Sequence, residues 1–207
     1  MWLRIFRTLI LAPLLATAGG NIEKPVILLL GPPGSGKTTQ AKNLSRKLGI
    51  PSITMAELLK QSAGWGKAGS KKTLRAQIES GELANDEAAN QLIRTRLLQN
   101  DAQRGFILDG YPSTTGQAEH LAATLKERGL STPIIVSLEI TDAVAMERMR
   151  RRGRADDQPA IMERRLSDYR RESEFILGHY SGSRVVKVDA TPTQAEVWRS
   201  IETALGQ

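Results

Sequence analysis

Val26–Leu30 is a continuous apolar run that stops at a glycine, the pattern of a strand buried on both faces. Phe106–Leu108 repeats it and ends at Asp109-Gly110, and Ile134–Leu138 does so with β-branched residues. Pro51–Met55 and Val185–Val188 read as two further, shorter strands. Between these runs the apolar positions return at helical spacing. Helices are predicted over Thr38–Leu48, Ala56–Gln61, Lys71–Ser80, Asp86–Gln99, Thr114–Arg128, Asp142–Arg151, Ala160–Ile176 and Thr193–Leu205. Gly49, Gly81 and Gly129 close three of them, and Asp86 stands near the cap of a fourth. Strands that alternate with helices imply right-handed βαβ units around a parallel sheet. No repeat and no low-complexity tract interrupts the pattern.

Composition narrows the chemistry. The chain has 207 residues, 40% hydrophobic and 25% charged, which suits one compact domain and excludes a wholly disordered chain. It contains no cysteine, which excludes disulfides, thiolate metal sites and a cysteine nucleophile. His120 and His179 are too few and too scattered to hold zinc. No apolar stretch reaches the ~20 residues of a membrane-spanning helix, so no membrane span is expected. Residues 1–20 combine Arg4 and Arg7, a short apolar centre over Leu9–Leu15 and Ala16-Thr17-Ala18. That fits a secretory or organellar targeting segment, or else a disordered extension of a cytoplasmic protein. The cytoplasm is the expected address.

The formal net charge is +7, and most of it is concentrated. Residues 148–171 hold nine arginines, no lysine and four acids. A basic protein invites a nucleic-acid reading, but the aromatic residues are too few to interleave with the cations and stack on bases. Arginine without lysine favours bidentate capture of fixed phosphates, though a solvated basic helix has the same composition.

The strongest chemical signal lies between the first strand and the first helix. Gly31-Pro-Pro-Gly-Ser-Gly-Lys37-Thr38 matches glycine, four residues, Gly-Lys and a hydroxyl residue. Chance supplies such a match in roughly one random 200-residue chain per hundred, and here the strand–helix context is also right. Glycines let backbone N–H groups converge on phosphate oxygens, and the helix N-terminus adds a positive dipole. Gly34, Ser35, Gly36, Lys37, Thr38 and Thr39 are therefore candidate ATP-binding residues. Lys37 can bridge the β- and γ-phosphates, and the Thr38 hydroxyl can ligate Mg²⁺. Asp109 ends a buried strand at the sheet edge where ligands bind, so it can hold Mg²⁺ directly or through water.

Three blocks then carry a resemblance: GPPGSGKTTQ (31–40), DGYPSTTGQ (109–117) and RMRRRGRADDQPAIMERR (148–165). In this order they are similar to the signatures of adenylate kinases and related nucleoside monophosphate kinases, over about Lys24 to Leu205. The resemblance implies a P-loop three-layer α/β/α fold with a five-stranded parallel sheet. It also implies a small helical insertion for the monophosphate (about 54–84) and a very short lid (about 152–157). The implied reaction is ATP + NMP = ADP + NDP with Mg²⁺, AMP being the expected acceptor, and no zinc. A kinase for another nucleoside monophosphate and an inactive ATP-binding regulatory protein are the alternatives. By the same resemblance Arg148 and Arg152 serve ATP, Arg154 and Arg165 span both phosphate groups, and Arg148, Arg154 and Arg165 join Lys37 in catalysis. Asp156 and Asp157 are implied as hinge or arginine-orienting carboxylates. Thr54, Lys60, Leu83, Ala84, Gly110, Ser113 and Gln117 fall at monophosphate-side positions, with Gln117 implied to read the adenine edge. The chain departs from the family pattern at Met55, Lys60 and Ser113, where threonine, arginine and arginine are usual. Lys71, Lys72 and Arg75 are candidate substitutes for the missing charge. The expected partners are small nucleotides, and a monomer is expected.

Overall fold

The computed structural model describes residues 24–62, 85–154 and 156–206. Five strands form one parallel sheet: β1 (Val26–Leu30), β2 (Ser52–Thr54), β3 (Phe106–Asp109), β4 (Ile134–Glu139) and β5 (Val185–Asp189). Their order is β2-β3-β1-β4-β5, so β1 is central, with Leu28 facing Leu108 on one side and Ile135 on the other. Seven α-helices lie among the described residues. They are α1 (Lys37–Leu48), α2 (Met55–Gln61), α3 (Asp86–Leu97), α4 (Thr115–Glu127), α5 (Asp142–Arg152), α6 (Pro159–His179) and α7 (Gln194–Leu205).

The period-2 geometry of β1 explains its unbroken apolar sequence. Val26, Leu28 and Leu30 pack into one hydrophobic layer with residues of α2, α3, α4 and α6. Ile27 and Leu29 pack into the other, against Ala41 and Leu44 of α1 and Val197, Ile201 and Leu205 of α7. The result is the expected three-layer α/β/α arrangement. A third, smaller cluster of Ala145, Met149, Met162 and Leu166 zips α5 to α6. These two helices carry the arginine-rich segment, and residues 153–158 join them.

Several boundaries differ from the sequence expectation. The helix predicted over Asp86–Gln99 stops at Leu97 and gives way to a 3₁₀ turn, Asn100–Arg104. Gln103 Nε2 donates to the Leu97 carbonyl oxygen there, satisfying a helix-end acceptor. The helix predicted over Ala160–Ile176 runs from Pro159 to His179, because Ile176 and then Tyr180, one turn on, are both buried in the core. Asp109 is the last residue of β3 rather than the first beyond it. The predicted helix Lys71–Ser80 and the segment 1–20 lie outside the described residues.

Candidate active site

The carboxyl ends of the strands open into a cavity of about 920 Å³. Its floor is the loop from β1 to α1. Gly34 holds φ +83°, and a β-carbon on it would sit 2.8 Å from the Ala145 carbonyl oxygen of α5. Gly36 holds φ +90° as the N-cap of α1, which turns the chain sharply into the helix. Folded back over this loop, Lys37 donates from Nζ to the Gly31 carbonyl at 2.6 Å and the Pro32 carbonyl at 3.0 Å. Burial lowers the Lys37 pKa from 10.5 to about 8. Asp109 acts against that shift, while Arg165 and Arg152 add to it.

Beside the loop, Thr38 Oγ1 donates to Asp109 Oδ2 at 2.6 Å. A hydroxyl and a carboxylate side by side at a phosphate cradle are hard oxygen donors of the kind Mg²⁺ takes, so these two residues fit that ion. Among the described residues no cluster of three or more His, Asp or Glu could hold a metal alone.

Arginines and their carboxylates form one wall. Arg148 Nη1 and Nη2 donate at 2.7 Å to the carbonyls of Ala190 and Thr191, pinning the loop that follows β5. Arg152 makes a two-pronged pair with Asp157, at 3.0 and 2.5 Å, and the Arg154 backbone N–H donates to the same carboxylate at 2.9 Å. Burial pushes the Asp157 carboxyl up, but the Arg152 hydrogen bond and the Arg154 N–H outweigh it and leave the pKa lowered. Arg165 Nη1 pairs with Asp156 Oδ2 at 2.5 Å.

The opposite wall comes from β2, β3 and the start of α4. Gln117 is 1% exposed, and its carboxamide is held at both ends. Nε2 donates to Asp86 Oδ1 at 2.8 Å. Oε1 accepts from the Ser113 N–H at 2.8 Å and the Ser113 hydroxyl at 3.1 Å.

A glycine cradle, a lysine inside it and a wall of arginines make a site for polyphosphate. The adenylate kinase family model matches residues 29–185. Adenylate kinases of Mycobacterium tuberculosis (strain ATCC 25618 / H37Rv) and Mycobacterium leprae (strain Br4923) are 38% identical to the chain. Each alignment covers 87% of this chain and 99% of the relative. The adenylate kinase of Corynebacterium glutamicum (strain R) is 37% identical over the same shares. The chain belongs to the adenylate kinase family.

Membership makes it a nucleoside monophosphate kinase, and the residues singled out in the sequence can be located on that basis. Gly34, Ser35, Gly36, Lys37, Thr38, Thr39, Thr54, Met55, Asp109, Gly110, Ser113 and Gln117 all line the one cavity. Arg148, Arg152, Arg154 and Arg165 complete it. Lys60 does not join them: it is exposed on α2 and outside the lining. Leu83, Ala84, Lys71, Lys72 and Arg75 lie outside the described residues.

Family-pattern reading also missed several lining residues, among them Arg151, Asp168, Tyr169 and Glu172. The last three follow Arg165 at steps of three, four and seven, so helical periodicity places them on its face of α6. No helix among the described residues is long and apolar enough to cross a membrane.

Proposed function

We propose that the chain transfers the γ-phosphoryl group of ATP reversibly to AMP, giving two ADP. The observation that carries this reading is the shape of the cavity, which extends to both sides of one phosphate cradle. Toward β4 and β5 its wall includes Arg148, Ala190 and Pro192, and toward β2 and β3 it includes Thr54, Gly110, Ser113 and Gln117. Two nucleotides entering from opposite sides bring their phosphates together at Lys37. ATP takes the arginine side and the acceptor takes the other.

Transfer between two anions needs positioning and charge neutralisation more than covalent help from the protein. Backbone N–H groups of the cradle and the α1 N-terminus hold the ATP phosphates, and Lys37 meets the charge on the group in flight. Arg152 and Arg154, at the short lid of 152–157, and Arg165 of α6 close over the same oxygens. Asp156 and Asp157 hold the guanidinium groups in place until phosphate arrives. Thr38 and Asp109 would hold Mg²⁺, which screens the β- and γ-phosphate charge when bound. ATP chemistry supports a cytoplasmic address.

The decisive experiment is ADP formation from MgATP with AMP, dAMP, CMP, UMP and GMP in turn, for the wild type and Lys37→Ala. AMP should be the best acceptor, and Lys37→Ala should lose transfer while keeping its circular dichroism. A folded Lys37→Ala variant with much of the wild-type kcat would refute the assignment of the cradle. Preference for another acceptor would refute AMP.

A further inference from the structure

One residue of α1 touches both the phosphate cradle and the loop that follows β5. Gln40 is 1% exposed, and its backbone N–H donates to the Gly36 carbonyl of the cradle at 3.1 Å. Its side chain reaches the other way, with Nε2 donating to the Gln194 carbonyl at 3.0 Å. Gln194 begins α7 and lines the cavity together with Ala190, Pro192 and Thr193.

The Gln40 amide is oriented from two directions. The Gln194 carbonyl can only accept, so it takes Nε2. Out at the exposed end Arg46 can only donate, and its Nη2 meets Asn43 Oδ1 at 2.5 Å. Asn43 must then turn Nδ2 toward Gln40 Oε1, at 3.1 Å. Steps of three residues put Arg46, Asn43 and Gln40 on one face of α1, so the chain runs along the helix and ends on the loop.

Arg148 of α5 already holds the carbonyls of Ala190, Thr191 and Pro192 in this loop. Gln40 adds a buried tie to α1, the helix whose first turn carries Lys37 and Thr38. A second tie between α1 and α7, Lys47 to Glu202 at 3.2 Å, is solvent-exposed and contributes little. The rise along one helical turn is fixed, so the Gln40 bond holds the loop at a set distance from the cradle.

We propose that Gln40 is a positioning residue for the donor nucleotide. It sets the spacing between the cradle, which takes the ATP phosphates, and the wall at 190–194, against which the rest of ATP lies. Asn43 keeps the Gln40 amide in its donating orientation. The inference rests on the reading that ATP occupies the arginine side of the cavity.

The test compares the dissociation constants of MgATP and of magnesium tripolyphosphate, which keeps three phosphates and lacks the nucleoside. Both are measured by titration calorimetry on the full chain, for the wild type, Gln40→Met, Asn43→Asp and Asn43→Ala. MgATP should bind the wild type more tightly than tripolyphosphate does. Gln40→Met keeps the bulk of the side chain and removes the donor. It should weaken MgATP by about 2- to 10-fold and leave tripolyphosphate unchanged, whereas a general loss of structure would weaken both alike. An aspartate at position 43 cannot donate, so Gln40 should turn its oxygen toward the Gln194 carbonyl and MgATP affinity should fall by a similar factor. Asn43→Ala imposes no reversal and should lose less.

An unchanged ratio of the two constants in a folded Gln40→Met overturns the proposal and leaves the kinase reading standing. An equal loss for both ligands does the same. Should Gln40→Met fail to fold, Asn43→Asp decides in its place, and an unchanged ratio there overturns the proposal. A wild type that binds the two ligands equally well overturns the placement of ATP on the arginine side, and this proposal with it.

Discussion

A lysine ammonium folded into a glycine cradle gives up much of its hydration, and at Lys37 this lowers the pKa from 10.5 to about 8. Between those two values the unfolded chain binds more protons at this residue than the folded one. The Lys37 contribution to stability therefore improves as pH rises from about 8 to 10.5. Function runs the other way, because the charged form that attracts phosphate is lost above about pH 8. We expect kcat/KM for MgATP to fall on the alkaline side with an apparent pKa near 8. The kcat profile should hold to higher pH, since bound phosphates raise the lysine pKa again. A kcat/KM profile flat to pH 10 would contradict this account. Nothing in the sequence gives that shift, for it depends on burial and on Arg165 and Arg152, which α6 and α5 bring to the lysine. Ser113 shows the same limit: its departure from the family pattern is visible in the chain, but Asp86 lies 27 positions away.

At the level of elements, the loop before α1 is held from outside as well as from within. The Ala145 carbonyl of α5 packs where a side chain on Gly34 would go, 2.8 Å from the missing β-carbon, and the glycine sits at φ +83°. Gly34→Ala should therefore lower the unfolding midpoint, with backbone strain alone costing about 1–2 kcal/mol. It should also raise the KM for MgATP by displacing the cradle from α5. Thermal unfolding and initial rates would check both effects, and a variant with wild-type values would show that the loop gives way freely. The cradle was legible in the sequence because its parts are contiguous. The strands were legible too, because burial on both faces leaves a plain apolar run. Helix ends were harder. The stop at Leu97 depends on Gln103 reaching back from the next turn, and the extension of α6 to His179 depends on the core receiving Ile176 and Tyr180.

Over the whole molecule, the central place of β1 sets the organisation of everything at the sheet edge. The chain leaves β1 toward β2 and β3 on one side and later crosses to β4 and β5 on the other. Separate strand pairs thus build the two ends of the cavity, and neither end is walled by residues of the other. This has a kinetic meaning. If each nucleotide takes its own end of the cavity, as proposed, neither should need the other to arrive first. Double-reciprocal plots with both nucleotides varied should give intersecting lines, with each nucleotide able to bind the protein alone. Parallel lines would mean that the phosphoryl group rests on a side chain between two half-reactions. On the proposed reading donor and acceptor meet over Lys37, so the group should cross in a single flight and the order of arrival should be left to concentration.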